Sequence, residues 1–66
     1  MKQFQFSKIR EFREALGMTQ HELGEKMGLH PQQISGWENE SGGGLTVRTL
    51  IKLCEVLDKK PNDFFG

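Results

Sequence analysis

The run TQHELGEKMGLHPQQISGWE, residues 19–38, constrains the fold more than any other stretch, because it carries two helix beginnings and a helix end in quick succession. Thr19 is a favoured N-cap, and Glu22 stands three residues on, so the pair forms a capping box. Met18 before the cap and Leu23 after it are placed to close as a hydrophobic staple. Leu23 and Met27 share a helical face at i,i+4. Gly28 ends that helix where a left-handed residue is wanted. Pro31 then fits the first position of the next helix, where its missing N–H has no partner to lose. Gln33 is placed to serve as its box residue, and Leu29 with Ile34 as a second staple. Ile34 and Trp37 recur at i,i+3 and mark the buried face. Two helices joined by so short a turn containing Gly make a helix-turn-helix.

The rest of the chain supplies a scaffold for that unit. Ser7 is placed to cap a first helix, with Phe6, Ile9, Phe12 and Leu16 as its apolar face and Gly17 as its end. Residues 1–5 admit two readings: a short strand, since Phe4 and Phe6 alternate with Gln3 and Gln5, or a frayed terminus. Three consecutive glycines, 42–44, rule out a helix over 40–44 and predict a flexible loop. No Gly-Lys-Ser/Thr follows them, so the loop is not of the phosphate-cradling kind. Thr46 caps a fourth helix whose buried stripe is Leu50, Leu53, Cys54 and Leu57. Pro61 opens a short fifth helix, and one of Phe64 and Phe65 closes the core while the other is left for a partner surface. The expectation is an all-α, compact five-helix bundle forming a single domain over residues 1–66.

Composition narrows the function. A chain of 66 residues buries only a small core and depends on regular helix packing. One cysteine permits no internal disulfide and points to a reducing, cytoplasmic setting; Cys54 reads as a small core residue. No apolar run approaches membrane-spanning length. His21, His30 and Cys54 have no metal-ligand spacing, and no Ser/His/Asp set is present. The expectation is therefore no enzyme, no metal and no cofactor. Nine basic residues balance nine acidic ones, which counts mildly against a strong nucleic-acid binder, since such proteins usually carry a basic excess.

With the motif in place, the chain resembles the lambda-repressor-like, Cro/C1-type (XRE-like) helix-turn-helix family. Ile9 to Arg13, Met18 to Leu23, Ile34 to Asn39 and Leu57 to Phe65 carry the resemblance, in order and spacing together. It implies a sequence-specific binder of double-stranded DNA, a transcriptional regulator with repression as the expected role. The second helix of the motif, 31–39, would lie in the major groove, with a homodimer on a near-palindromic site. Carried over residue by residue, Pro31, Gln32, Ser35 and Gly36 would face base edges, with Gln33 a further reader. Thr19, Gln20 and Asn39 would contact phosphates. Arg13 and Glu38 would form an internal ion pair. The chain departs from the family pattern at Gly24, where Ala is preferred, at Glu40, at Leu45 and at Lys59.

The residues themselves bear on those roles. A Gln amide both donates and accepts in one plane, which matches adenine in the major groove, so Gln32 is the first candidate. A Gly inside a helix costs about 1 kcal/mol relative to Ala. At Gly24 the expected reason is steric, a close crossing of the two motif helices. At Gly36 two reasons stand: close approach of DNA, or simple tolerance. The alternative function is a protein-interaction module of the antitoxin type, with Phe4, Phe6, Phe64 and Phe65 as apolar contacts.

Overall fold

A computed structural model describes residues 3–39 and 45–66. The expected glycine loop, 40–44, lies outside the described residues, as do Met1 and Lys2 of the expected arm. Four α-helices follow in order among the described residues: α1, Ser7–Ala15; α2, Gln20–Met27; α3, Pro31–Glu38; and α4, Val47–Leu57. The fifth expected helix is instead a single 3-10 turn, Pro61–Phe64. Lys60 is its N-cap, and the Lys60 N–H donates to the carboxylate of Asp63 within the turn at 2.8 Å. Four residues are too few to close a regular α-helical ladder.

The helix-turn-helix forms as its local signals dictate. Thr19 Oγ1 accepts from the Glu22 N–H at 3.1 Å, and Glu22 Oε1 accepts from the Thr19 N–H at 2.9 Å. Gly28 adopts φ 73°, which reverses the chain into the turn before α3. The turn passes so close to α2 that a Cβ on Gly24 would stand 2.6 Å from the Leu29 carbonyl oxygen. A Cβ at Gly24 would thus push on the backbone of the turn, a nearer obstacle than the facing helix.

Two expectations for α1 fail. Its N-cap is Phe6, in helical conformation and without a side-chain bond, so Ser7 is the first helical residue rather than the cap. Leu16 is 52% exposed, because the helix stops at Ala15 and Gly17, at φ 72°, swings the chain away. The buried positions of α1 are Ile9 and Arg13.

The core comprises Ile9, Leu23, Met27, Ile34, Trp37, Leu53, Cys54, Leu57 and Phe64. Burial raises the Cys54 thiol pKa, helped by the charge of Asp63, which keeps it an inert packing group. Phe64 is wholly buried and closes one end. Phe4 forms an antiparallel bridge with Phe65, and the Gln3 and Gly66 backbones exchange bonds of 3.2 and 3.1 Å. The Phe4 ring stacks on Phe64 at 5.5 Å and meets Phe6 edge-on at 4.8 Å. Lys59 holds its ammonium 4.7 Å from the centroid of the Phe12 ring, so a cation covers an aromatic face that would otherwise meet water.

Candidate nucleic-acid interface

The geometry of α3 follows from what anchors it. Ile34 and Trp37 are buried to within 1%. Glu38, the only charged residue of the helix, is turned inward with its side chain 4% exposed. Arg13 of α1 grips it with two bonds, Nε to Oε2 at 2.8 Å and Nη2 to Oε1 at 3.1 Å. Nη1 of the same guanidinium donates to the Met18 carbonyl at 2.8 Å, tying the α1–α2 connection into the network. Hydrogen bonding to Glu38 raises the Arg13 pKa against the opposing cost of burial, so the guanidinium stays charged. No buried side-chain polar atom among the described residues lacks a partner.

Gln20, expected at a phosphate, also belongs to this network. Its Nε2 donates to Glu38 Oε1 at 3.1 Å. One amide hydrogen and the carbonyl oxygen are left for a further contact. Thr19 is more fully committed, since its oxygen accepts from the Glu22 N–H and its side chain also bonds the Glu22 carboxylate, so a phosphate has to compete for its hydroxyl hydrogen. The first amides of α2 add donors, because the opening turn of a helix has no carbonyls to bond. Thr19, Gln20 and Pro31 line one broad, shallow concavity together with Met18 and Gly17.

The outer side of α3 is polar and carries no charge. Gln32, Gln33 and Asn39 are exposed, while Pro31, Ser35 and Gly36 are half-buried. Asn39 Nδ2 donates to Ser35 Oγ at 3.3 Å, so an expected phosphate contact and an expected base reader are joined before any ligand arrives.

His30 has a role that sequence reasoning missed. It is the N-cap of α3, and its Nδ1 accepts from the Gln32 N–H at 3.1 Å. The signal was available in its position directly before Pro31, where a side-chain acceptor is wanted. Histidine is simply not among the usual capping residues.

The basic residues of the other helices are partly committed. Lys8 pairs with Glu11 and Arg10 with Glu14, each at 3.3 Å along α1. Lys26 and Arg48 are exposed. Among the described residues no group of three His, Cys, Asp or Glu side chains is arranged to hold a metal. No described helix is long and apolar enough to cross a membrane.

Comparison with known proteins gives one family and a set of solved structures. The helix-turn-helix family HTH_3 matches residues 9–64. No curated protein sequence matches the chain. The master regulator for biofilm formation SinR, solved in complex with DNA, superposes with a TM-score of 0.81 at 25% identity, over 89% of this chain and 94% of that one. The SinR–SinI protein complex gives 0.80 at 25% identity, over 89% of this chain and 57% of that one. Hydroxypropylphosphonic acid epoxidase from S. wedmorenis gives 0.83 at 27% identity over 92% of this chain. This chain spans only 32% of the length of that epoxidase chain.

Proposed function

From the premise that this chain belongs to the helix-turn-helix family HTH_3, of the Cro/C1 type, we propose that it is a sequence-specific, double-stranded DNA-binding transcriptional regulator acting as a repressor. The observation that carries the reading is the outer side of α3, uncharged, polar and exposed on a helix whose one carboxylate is neutralised inside. SinR, a regulator solved with DNA and alike over nearly its whole chain, supports it.

In this reading α3 enters the major groove. Gln32 pairs with an adenine through N6 and N7, and Ser35, Gln33, Pro31 and Gly36 meet neighbouring base edges. Thr19, Gln20 and Asn39 bond phosphates, with the amides at the start of α2 in support. These contacts are largely uncharged, so binding weakens with salt less steeply than for a strongly basic protein. A single α3 addresses one half-site. Two copies on a near-palindrome address successive major grooves and gain affinity by linkage. The chain acts as one domain, without cofactor or catalytic step.

Selection from random duplex DNA at moderate salt tests the proposal. Recovery of a two-fold symmetric motif, with specificity relaxed at one position by Gln32→Ala, is expected. No enrichment would overturn it. A second reading, a module that binds another protein, draws support from the likeness to SinR in its complex with SinI. It predicts a co-purifying protein in place of an enriched duplex.

A further inference from the structure

The cap of α3 carries more chemistry than capping needs. Ser, Thr, Asn and Asp are favoured at such a position, and each ends in a short polar group close to the backbone. His30 caps with Nδ1, which accepts the Gln32 N–H at 3.1 Å, and it has a second nitrogen on the far edge of its ring. The residue is exposed, as is Gln32.

The cap bond fixes where the ring proton sits. A neutral imidazole has one donor nitrogen and one acceptor, and the bond made by one nitrogen sets the state of the other. Nδ1 presents its lone pair to the Gln32 N–H, so the proton is on Nε2. With Nδ1 turned to the helix start, Nε2–H is turned away from it. Nε2 meets no acceptor among the described residues. The carboxylates of α2, against which the turn lies, are engaged elsewhere: Glu22 with the Thr19 N–H, and Glu25 with His21 at 2.7 Å. An oriented donor is thus left in solvent at the leading end of α3.

We propose that His30 is a base-reading residue, its Nε2–H donating to a guanine in the major groove next to the base that Gln32 reads. The inference rests on the DNA-binding reading and deepens it by naming a further specificity-determining residue. The N-terminal residues of a recognition helix are the ones that reach base edges. His30 stands two residues before Gln32, about 3 Å back along the axis. Pro31 between them is half-buried and has no N–H, so it does not compete for the same acceptor.

The donor selects the base. With Nδ1 committed, the ring offers one hydrogen and no acceptor. Guanine shows two acceptors, N7 and O6, and no donor on its major-groove edge. Adenine sets its amino donor beside N7, thymine sets a methyl group beside O4, and cytosine presents only its amino donor. The expected order is therefore guanine first and cytosine last. Gln32 both donates and accepts and so suits adenine, which divides the two purines between neighbouring residues of one turn.

The test compares wild type with His30→Ser, first in selection from random duplex DNA at moderate salt. Each protein is then titrated onto the selected duplex and onto its three variants at the proposed guanine. Ser is a favoured cap but ends one atom beyond Cβ, so it keeps the helix start and loses the reach. His30→Ser should therefore melt like wild type, while His30→Ala, without a cap, should melt lower. Wild type is expected to prefer guanine by roughly 2- to 10-fold, the worth of one hydrogen bond, and His30→Ser to bind all four duplexes alike. A guanine preference kept by His30→Ser would make His30 a cap alone and overturn the proposal. Equal weakening on all four duplexes would put Nε2 on a phosphate and overturn it as well. Nitrogen NMR of the free protein reads the ring separately: a protonated Nε2 with a bare Nδ1 supports the proposal, and the reverse overturns it. If selection enriches no duplex, the regulator reading fails and this inference with it. An enriched site indifferent to His30→Ser removes this inference alone.

Discussion

The two sides of α3 are made of opposite chemistry. Inward, Ile34 and Trp37 fill the core and Glu38 accepts three hydrogen bonds, two from Arg13 and one from Gln20. Outward, Gln32, Gln33 and Asn39 carry amides and no charge into solvent. The inner side fixes where the helix stands, and the outer side determines what it meets. Exposed polar positions contribute little to stability, so residues there are open to change without loss of the fold. This division lets one scaffold present many different reading surfaces.

The comparison breaks most visibly where α2 meets the turn. Gly24→Leu should unfold the protein, since even a Cβ there stands 2.6 Å from the Leu29 oxygen. Gly24→Ala should cost less, because the ~1 kcal/mol gained in helix propensity offsets part of the clash. Loss of the helical circular-dichroism signal checks the first, and a modestly lowered Tm the second.

Next comes the inner side itself. Arg13→Ala strands the Glu38 carboxylate in a nearly closed site and should cost about 3–5 kcal/mol in denaturant unfolding. Arg10→Ala, which removes only an exposed pair with Glu14, should leave the midpoint almost unmoved. Equal small effects from the two would erase the distinction between the sides of α3.

The outer side gives the reverse pattern. Gln32→Ala should keep the melting curve of the wild type while losing ~1–3 kcal/mol of affinity for the selected duplex. A fall in stability to match the fall in binding would show that the outer side is structural after all.

The smallest effects belong to the cap of α2. Thr19→Ala should cost ~1 kcal/mol of stability. Hydrogen bonds from Thr19, backbone first and then side chain, hold the Glu22 carboxylate pKa below its ordinary value. Such a group stabilises the fold above its unfolded pKa, and the contribution disappears as pH falls through the lowered folded pKa. Acid titration of stability should therefore show a step below the usual glutamate range that Glu22→Gln abolishes.

Much of this architecture was legible in the residues because its signals are local. The box at Thr19 and Glu22, the reversal at Gly28 and the buried stripe of α4 each depend on neighbours a few positions away. What escaped depends on contacts between distant segments or on backbone angles. Phe6 takes the N-cap position of α1 where residues 3–5 are drawn alongside 64–66, a pairing that only the folded chain creates. The last helix shrinks to a 3-10 turn for the same reason, since Phe65 leaves it to join that bridge. In α4 the periodicity marked the buried stripe, yet the open Val47–Ile51 edge depends on what no neighbouring element covers. The roles of α3 residues toward DNA were carried by family resemblance; the structure adds the network that links Gln20 to Glu38 and the cap at His30.

The antiparallel pairing of Gln3 with Gly66 has a mechanical consequence. A pull applied to the two ends loads these bonds one after another, as in a zip, instead of all at once. Tension should therefore peel the Phe4 and Phe65 rings from their neighbours before it disturbs any helix.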